Sequence, residues 1–155
     1  MRDMVKMNIK NVELTDTQNL LTLYEQLGYV TTENALYRRL AKILRHPDSH
    51  MLVAMIENKP VGIVGFSEIL DFFSDEAFIK IGMLVVDEHF RGNGIGKKLI
   101  ESVEFWAKTQ NISAIMLNSG NRVERKAAHE FYKSMGFIVK STSFYKEIGA
   151  CEWAI

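Results

Sequence analysis

Two hydrophobic rhythms alternate along the chain, one of period two and one near 3.6, and their succession predicts its elements. Val5 to Val12 alternates as a short strand. Thr15 or Asp16 can cap a helix with Leu20, Leu23, Tyr24 and Leu27 on one face, and Gly28 closes it. A second helix starts at Thr31 or Thr32 and aligns Leu36, Leu40, Ile43 and Leu44 before His46-Pro47-Asp48 stops it. From His50 to Ile69, two runs rich in Val, Ile and Met flank a turn at Asn58-Lys59-Pro60 and read as a hairpin.

The stretch "AFIKIGMLVV", Ala77 to Val86, has no charge after Lys80, as expected of a central strand covered on both faces. A helix from Gly94 to about Thr109 then buries Leu99, Ile100, Val103 and Trp106. "SAIMLNS" is a short strand ending at Asn118, and Val123 to Met135 is a helix aligning Ala128, Phe131, Tyr132 and Met135. Gly136 stands where a C-cap glycine belongs, and "FIVKSTSFYKEI" supplies one bent strand or two. The order predicts an α/β fold with a mixed sheet. At 155 residues, 47% of them apolar, with no repeat or linker, the chain is expected to form one domain over 1–155.

Charge and cysteine narrow the function classes. Nineteen basic residues balance nineteen acidic ones, which argues against nucleic acid or an anionic membrane as partner and requires any anion site to be local. The N-terminal stretch has no apolar signal core, and no run is long enough to span a bilayer, so a cytoplasmic protein is expected. The lone Cys151 rules out a disulfide framework or thiolate metal cluster and has no His near it to make it a nucleophile. No metal is called for.

One local anion site does stand out, "HFRGNGIGKK". The dinucleotide fingerprint needs G-x-G-x-x-G and an acidic end to the next strand, whereas Gly92, Gly94 and Gly96 give G-x-G-x-G and that strand ends in Asn118. The ATP-type loop needs a glycine and a Ser or Thr where Arg91 and Lys98 stand. Both motifs fail, yet unobstructed glycine N–H groups opening a helix, flanked by Arg91, Lys97 and Lys98, still make an anion cradle.

"LVVDEHFRGNGIG", Leu84 to Gly96, resembles the signature of the GNAT superfamily of acyl-CoA N-acyltransferases. "LNSGNRVERKAAHEFYKSMGF", Leu117 to Phe137, resembles its second block, an Asn-ended strand and a helix with A-H-x-F-Y and a closing Gly-Phe. The resemblance implies a GNAT fold, with a mixed central sheet of six to seven strands flanked by about four helices. It implies acetyl-CoA as co-substrate and a primary amine as acceptor.

The same resemblance assigns roles. The CoA pyrophosphate would lie on Arg91, Gly92, Asn93, Gly94, Ile95, Gly96 and Lys97, and the pantetheine arm on backbone groups of Leu84, Val85 and Val86. Asn118 would bind the pantetheine amides, unless it only forms a turn. Ala127 and Phe131 would line the cofactor arm, or simply pack. Tyr132 would protonate the departing thiolate as general acid.

The pattern breaks at the general base. Lys80, Ile81, Gly82 and Met83 occupy the stretch where the family often carries an acid, leaving Glu68 or Glu76 as replacements, directly or through water. Tyr24, Tyr29 and Tyr37 are the candidates for the acceptor pocket. With no nucleophile triad in sight, direct attack in a ternary complex is expected. The motifs look most like small-molecule members. A protein acetyltransferase and a non-catalytic acyl-CoA sensor are the rival readings, and a homodimer is compatible with an edge strand.

Overall fold

Residues 6–120 and 123–149 are described by the computed structural model; Val5 and Cys151 lie outside the described residues. The chain divides into two compact units at Leu117/Asn118. In the first, Met7–Asn11 forms β1, Thr17–Gln26 α1, Glu33–Arg45 α2, Ser49–Ile56 β2, Lys59–Ile69 β3, Phe78–Val86 β4, Ile95–Thr109 α3 and Ile115–Leu117 β5. The second holds α4, Lys126–Ser134.

The caps explain most of the boundaries. Thr32 accepts from Ala35 N–H and starts α2, and His46, in extended conformation, ends it ahead of Pro47. Gly28, at φ 100°, lets the chain turn out of α1. The β2–β3 turn is one residue earlier than the sequence suggests. Glu57 and Asn58 both have positive φ, as a two-residue turn matched to strand twist requires, while Lys59 and Pro60 already pair with Ile56 and Met55.

The sheet runs β1-β2-β3-β4-β5, antiparallel except for the parallel β4–β5 pair. Along each strand, alternate residues serve opposite faces. Val53, Ile63 and Val85 join Leu20, Leu23, Leu36 and Leu40 of α1 and α2 in one apolar cluster. Gly62, on the other face, lies under α3, where an added Cβ would stand 3.0 Å from both Ile95 and Leu99. Leu99, Ile100 and Val103 are buried as predicted, but Trp106 is only half-buried, its ring 4.5 Å from His50 and 5.3 Å from Phe66.

Five strands are present among the described residues, where six to seven were expected. The missing ones are in "FIVKSTSFYKEI", which forms no strand and leaves Ile138, Val139, Phe144, Tyr145 and Ile148 exposed. Alternating apolar residues supply a face, but a strand exists only through its ladder, and the described residues of the second unit offer this segment no partner strand. That unit is organised around α4. Gly136 closes the helix at φ 92°, and Phe137 N–H donates to Tyr132 O at 3.0 Å, which brings the two rings within 6.0 Å.

Candidate active site

A bulge in β4 sets the geometry. Gly65 pairs with Met83 and Phe66 with Ile81, so Gly82 is the extra residue. Its effect can be read from two hydrogen bonds. Ile79 N–H donates to Ala114 O on the β5 side, whereas Asp87 N–H donates to Val61 O on the β3 side. Eight residues of regular strand would return both groups to the same side, so the bulge has shifted the alternation by one. After Gly82 the backbone groups of Val85 face β3, and those of Leu84 and Val86 face away from it.

On that outward side β4 has no partner for half its length among the described residues. β5 pairs only with Ile79, Lys80 and Ile81. The N–H and C=O of Leu84 and the N–H of Val86 therefore form a free edge, while Val86 O accepts from Arg91 Nε at 3.2 Å. Backbone edges of this kind take an extended chain carrying amides.

Directly beyond lies the glycine turn. Buried Asp87 accepts from His89 N–H through its side chain and Asn93 Nδ2 donates to Phe90 O at 2.9 Å, both within the turn, while Glu88 N–H donates to Gln26 Oε1 at 2.8 Å and ties it to α1. Gly92 and Gly94 have φ of 81° and 78°, in the left-handed region that glycine enters without penalty. Lys98 N–H makes the first bond of α3, to Gly94 O. The N–H groups of Ile95, Gly96 and Lys97 are left without helical acceptors at the positive end of the helix dipole, with the exposed lysines 97 and 98 beside them. The free amide edge and the N–H groups at the helix start are contiguous in the chain.

A cleft of about 740 Å³ opens on the α1–α2 connection and the bulge. Tyr24, Tyr29, Thr31 and Arg39 line it together with Gly82 and Met83. Burial raises the Tyr24 phenol above its ordinary value near 10, opposed in part by the Arg39 guanidinium, so this hydroxyl stays protonated.

Residues 14–137 match the acetyltransferase (GNAT) family. The chain belongs to that family. A GNAT family acetyltransferase of Staphylococcus aureus superposes with a TM-score of 0.79 at 31% identity, over 92% of this chain and 98% of that one. An aminoglycoside N-acetyltransferase solved with CoA gives 0.81 at 19% identity, over 93% and 96%, a likeness of fold. The human N-acetylaspartate synthetase is 33% identical over 109 residues, 68% of this chain and 34% of that protein. The chain thus spans about a third of the length of the synthetases it matches.

Within this GNAT chain the sequence-predicted residues are only partly brought together. Tyr24 and Tyr29 share the cleft; Tyr37, half-exposed on α2, is not among its lining residues. Glu68 pairs with Ile79, three positions along β3 from the residue opposite the bulge, roughly 10 Å at strand rise. Its charge instead acts on His50. Glu76 is engaged by Ser113, whose hydroxyl donates to it at 2.9 Å. Asn118, Ala127, Phe131 and Tyr132 belong to the second unit. There Tyr132 is half-buried against Phe131 and Phe137, and burial raises its phenol above the ordinary value, outweighing Arg125. His129 is held by Gly120 O at 2.8 Å.

Sequence reasoning missed Arg39, whose spacing carries no motif. It also passed over the Gly82 bulge, although a glycine inside a strand is a recognised sign of one. Among the described residues no group of three or more His, Cys, Asp or Glu side chains could hold a metal, and no helix is long and apolar enough to cross a membrane.

Proposed function

We propose that the chain transfers the acetyl group of acetyl-CoA to the primary amine of a small molecule, by direct attack within a ternary complex. The observation that carries this reading is the continuity of the free β4 edge with the helix-end cradle. The pantetheine amides pair with Leu84 and Val86, and the pyrophosphate rests on the N–H groups from Gly92 to Lys97, neutralised by the nearby cations. Val85 contributes packing, because its backbone groups are committed to β3.

In the reaction the amine nitrogen forms a bond to the thioester carbonyl carbon, and the carbon–sulfur bond breaks. Backbone N–H groups of the free edge stabilise the developing oxyanion. Tyr132 gives its proton to the departing thiolate, a role for which a phenol held neutral by burial is in the right state. Among the described residues no carboxylate lines the cleft, and Tyr24 is too weak an acid to be ionised and serve as base. The ammonium therefore sheds its proton to water before attack.

The relatives' names bracket the acceptor without choosing it. One is named for a polycationic class, the aminoglycosides, and the other for making N-acetylaspartate, from an amine bearing two carboxylates. A small-molecule acceptor is our reading, since the cleft volume, about 740 Å³, is that of a small-ligand site.

Acetyl-CoA should raise the melting temperature while NAD does not, and thiol release should follow with some member of a broad amine panel. Tyr132→Phe should lower kcat by about a hundredfold with little change in acetyl-CoA affinity. Stabilisation by NAD alone would sink the reading. Tight acetyl-CoA binding with no thiol release from any amine would replace the enzyme by a sensor.

A further inference from the structure

Among the described residues the cleft beside the bulge is lined by one formally charged side chain, and it is positive. Arg39 stands on α2 between the buried anchors Leu36 and Leu40, so a rigid helix presents it. The ion pairs found among the described residues are Lys10 with Asp16 and His89 with Glu88, and Arg39 joins neither. Among the described residues no Asp or Glu lines the cleft. Its remaining polar side chains, Tyr24, Tyr29 and Thr31, are hydroxyls, which can donate to an anion as readily as guanidinium can.

From this we infer that the acceptor is a small amine bearing an oxyanion, a carboxylate or a phosphate, which Arg39 binds while the amine reaches the β4 bulge. The inference rests on reading this cleft as the acceptor side of an acetyltransferase. A guanidinium fork matches the two oxygens of a carboxylate or phosphate, and an acceptor-only anion satisfies a set made of donors. A polycation would meet the opposite situation. It would bring several charges to a cleft with no carboxylate to compensate them and a like charge already present, an arrangement that rejects a ligand. Acceptor selection therefore works by charge sign, with Arg39 as the discriminating residue. The cleft volume, about 740 Å³, lies in the range of small-molecule sites.

The test uses matched amines on the full chain with saturating acetyl-CoA: β-alanine against its amide, phosphoethanolamine against ethanolamine, and spermidine as the cationic arm. Thiol release and calorimetric binding are both read. The oxyanion member of at least one pair should be preferred by roughly tenfold or more in kcat/KM, the scale of a charge-assisted hydrogen bond. The two pairs tell carboxylate from phosphate. Arg39→Gln should erase the preference through KM with kcat and acetyl-CoA affinity retained, and Arg39→Lys should restore part of it. Preference for spermidine, or an oxyanion preference that survives Arg39→Gln, overturns the inference while leaving acetyl transfer standing. If no amine releases thiol, Arg39-dependent binding of an oxyanion amine still supports the site, and absence of such binding overturns it.

Discussion

The glycine turn before α3 and the cleft beside α2 are built from different materials. The turn presents backbone: N–H groups at a helix start, two left-handed glycines and a strand edge freed by the bulge. The cleft presents side chains, two phenols, a hydroxyl and a guanidinium carried on separate elements. A backbone site demands a fixed local sequence, because only glycine enters those conformations freely. A side-chain site demands only that the right groups converge, and their spacing in sequence is arbitrary. A cradle of this kind can be shared across a family, while the cleft is free to differ from member to member.

The contrast breaks most readily at the turn. Gly94→Val forces a β-branched residue to φ 78°, where nothing crowds the new Cβ and the penalty is conformational. Acetyl-CoA affinity should fall roughly 10- to 100-fold by calorimetry. Unchanged affinity would mean that the turn is an ordinary connection. A smaller effect is expected beneath the helix that carries the cradle. Gly62→Val places its Cβ 3.3 Å from Val85 O and against Ile95 and Leu99, of which only the side chains can give way. Overpacking of this kind costs about 1–3 kcal/mol, visible in the urea midpoint, and acetyl-CoA should restore part of it.

The smallest effect lies away from both regions, at His50. Burial among Phe66 and Trp106 lowers its pKa below the ordinary 6.5, and Glu68 and Asp48 offset only part of that shift. The unfolded chain then binds the proton more readily than the folded one. Stability contributed by neutral His50 is present above about pH 6.5 and lost as the pH falls through 6.5 toward the depressed folded value. Melting temperature should decline modestly over that window, and His50→Phe should flatten this part of the profile. A decline that survives the substitution would assign it to other groups.

Legibility in the sequence followed the range of the interactions. Thr32 as a cap, Gly28 and Gly136 as helix ends, and the central strand before the glycine turn were all readable, since each depends on a few consecutive residues. The β2–β3 turn was misplaced by one residue because Pro60 looks like a turn former, yet the strand accepts it where the register shifts. The expected sixth and seventh strands failed for a deeper reason. Alternation in "FIVKSTSFYKEI" describes a face, and nothing local reveals whether another strand is there to pair with it.

By itself the sequence determined the mixed α/β order and the glycine turn that opens α3, because glycine conformations, caps and hydrophobic periods are properties of short stretches. Tertiary structure decided the rest. Only the pairing of Gly65 with Met83 shows that Gly82 shifts the alternation, committing Val85 to β3 and freeing Leu84 and Val86. Only folding brings Arg39 to Tyr24 and Met83 while leaving Tyr37 and Glu68 elsewhere. Those outcomes depend on register and on packing between residues distant in sequence.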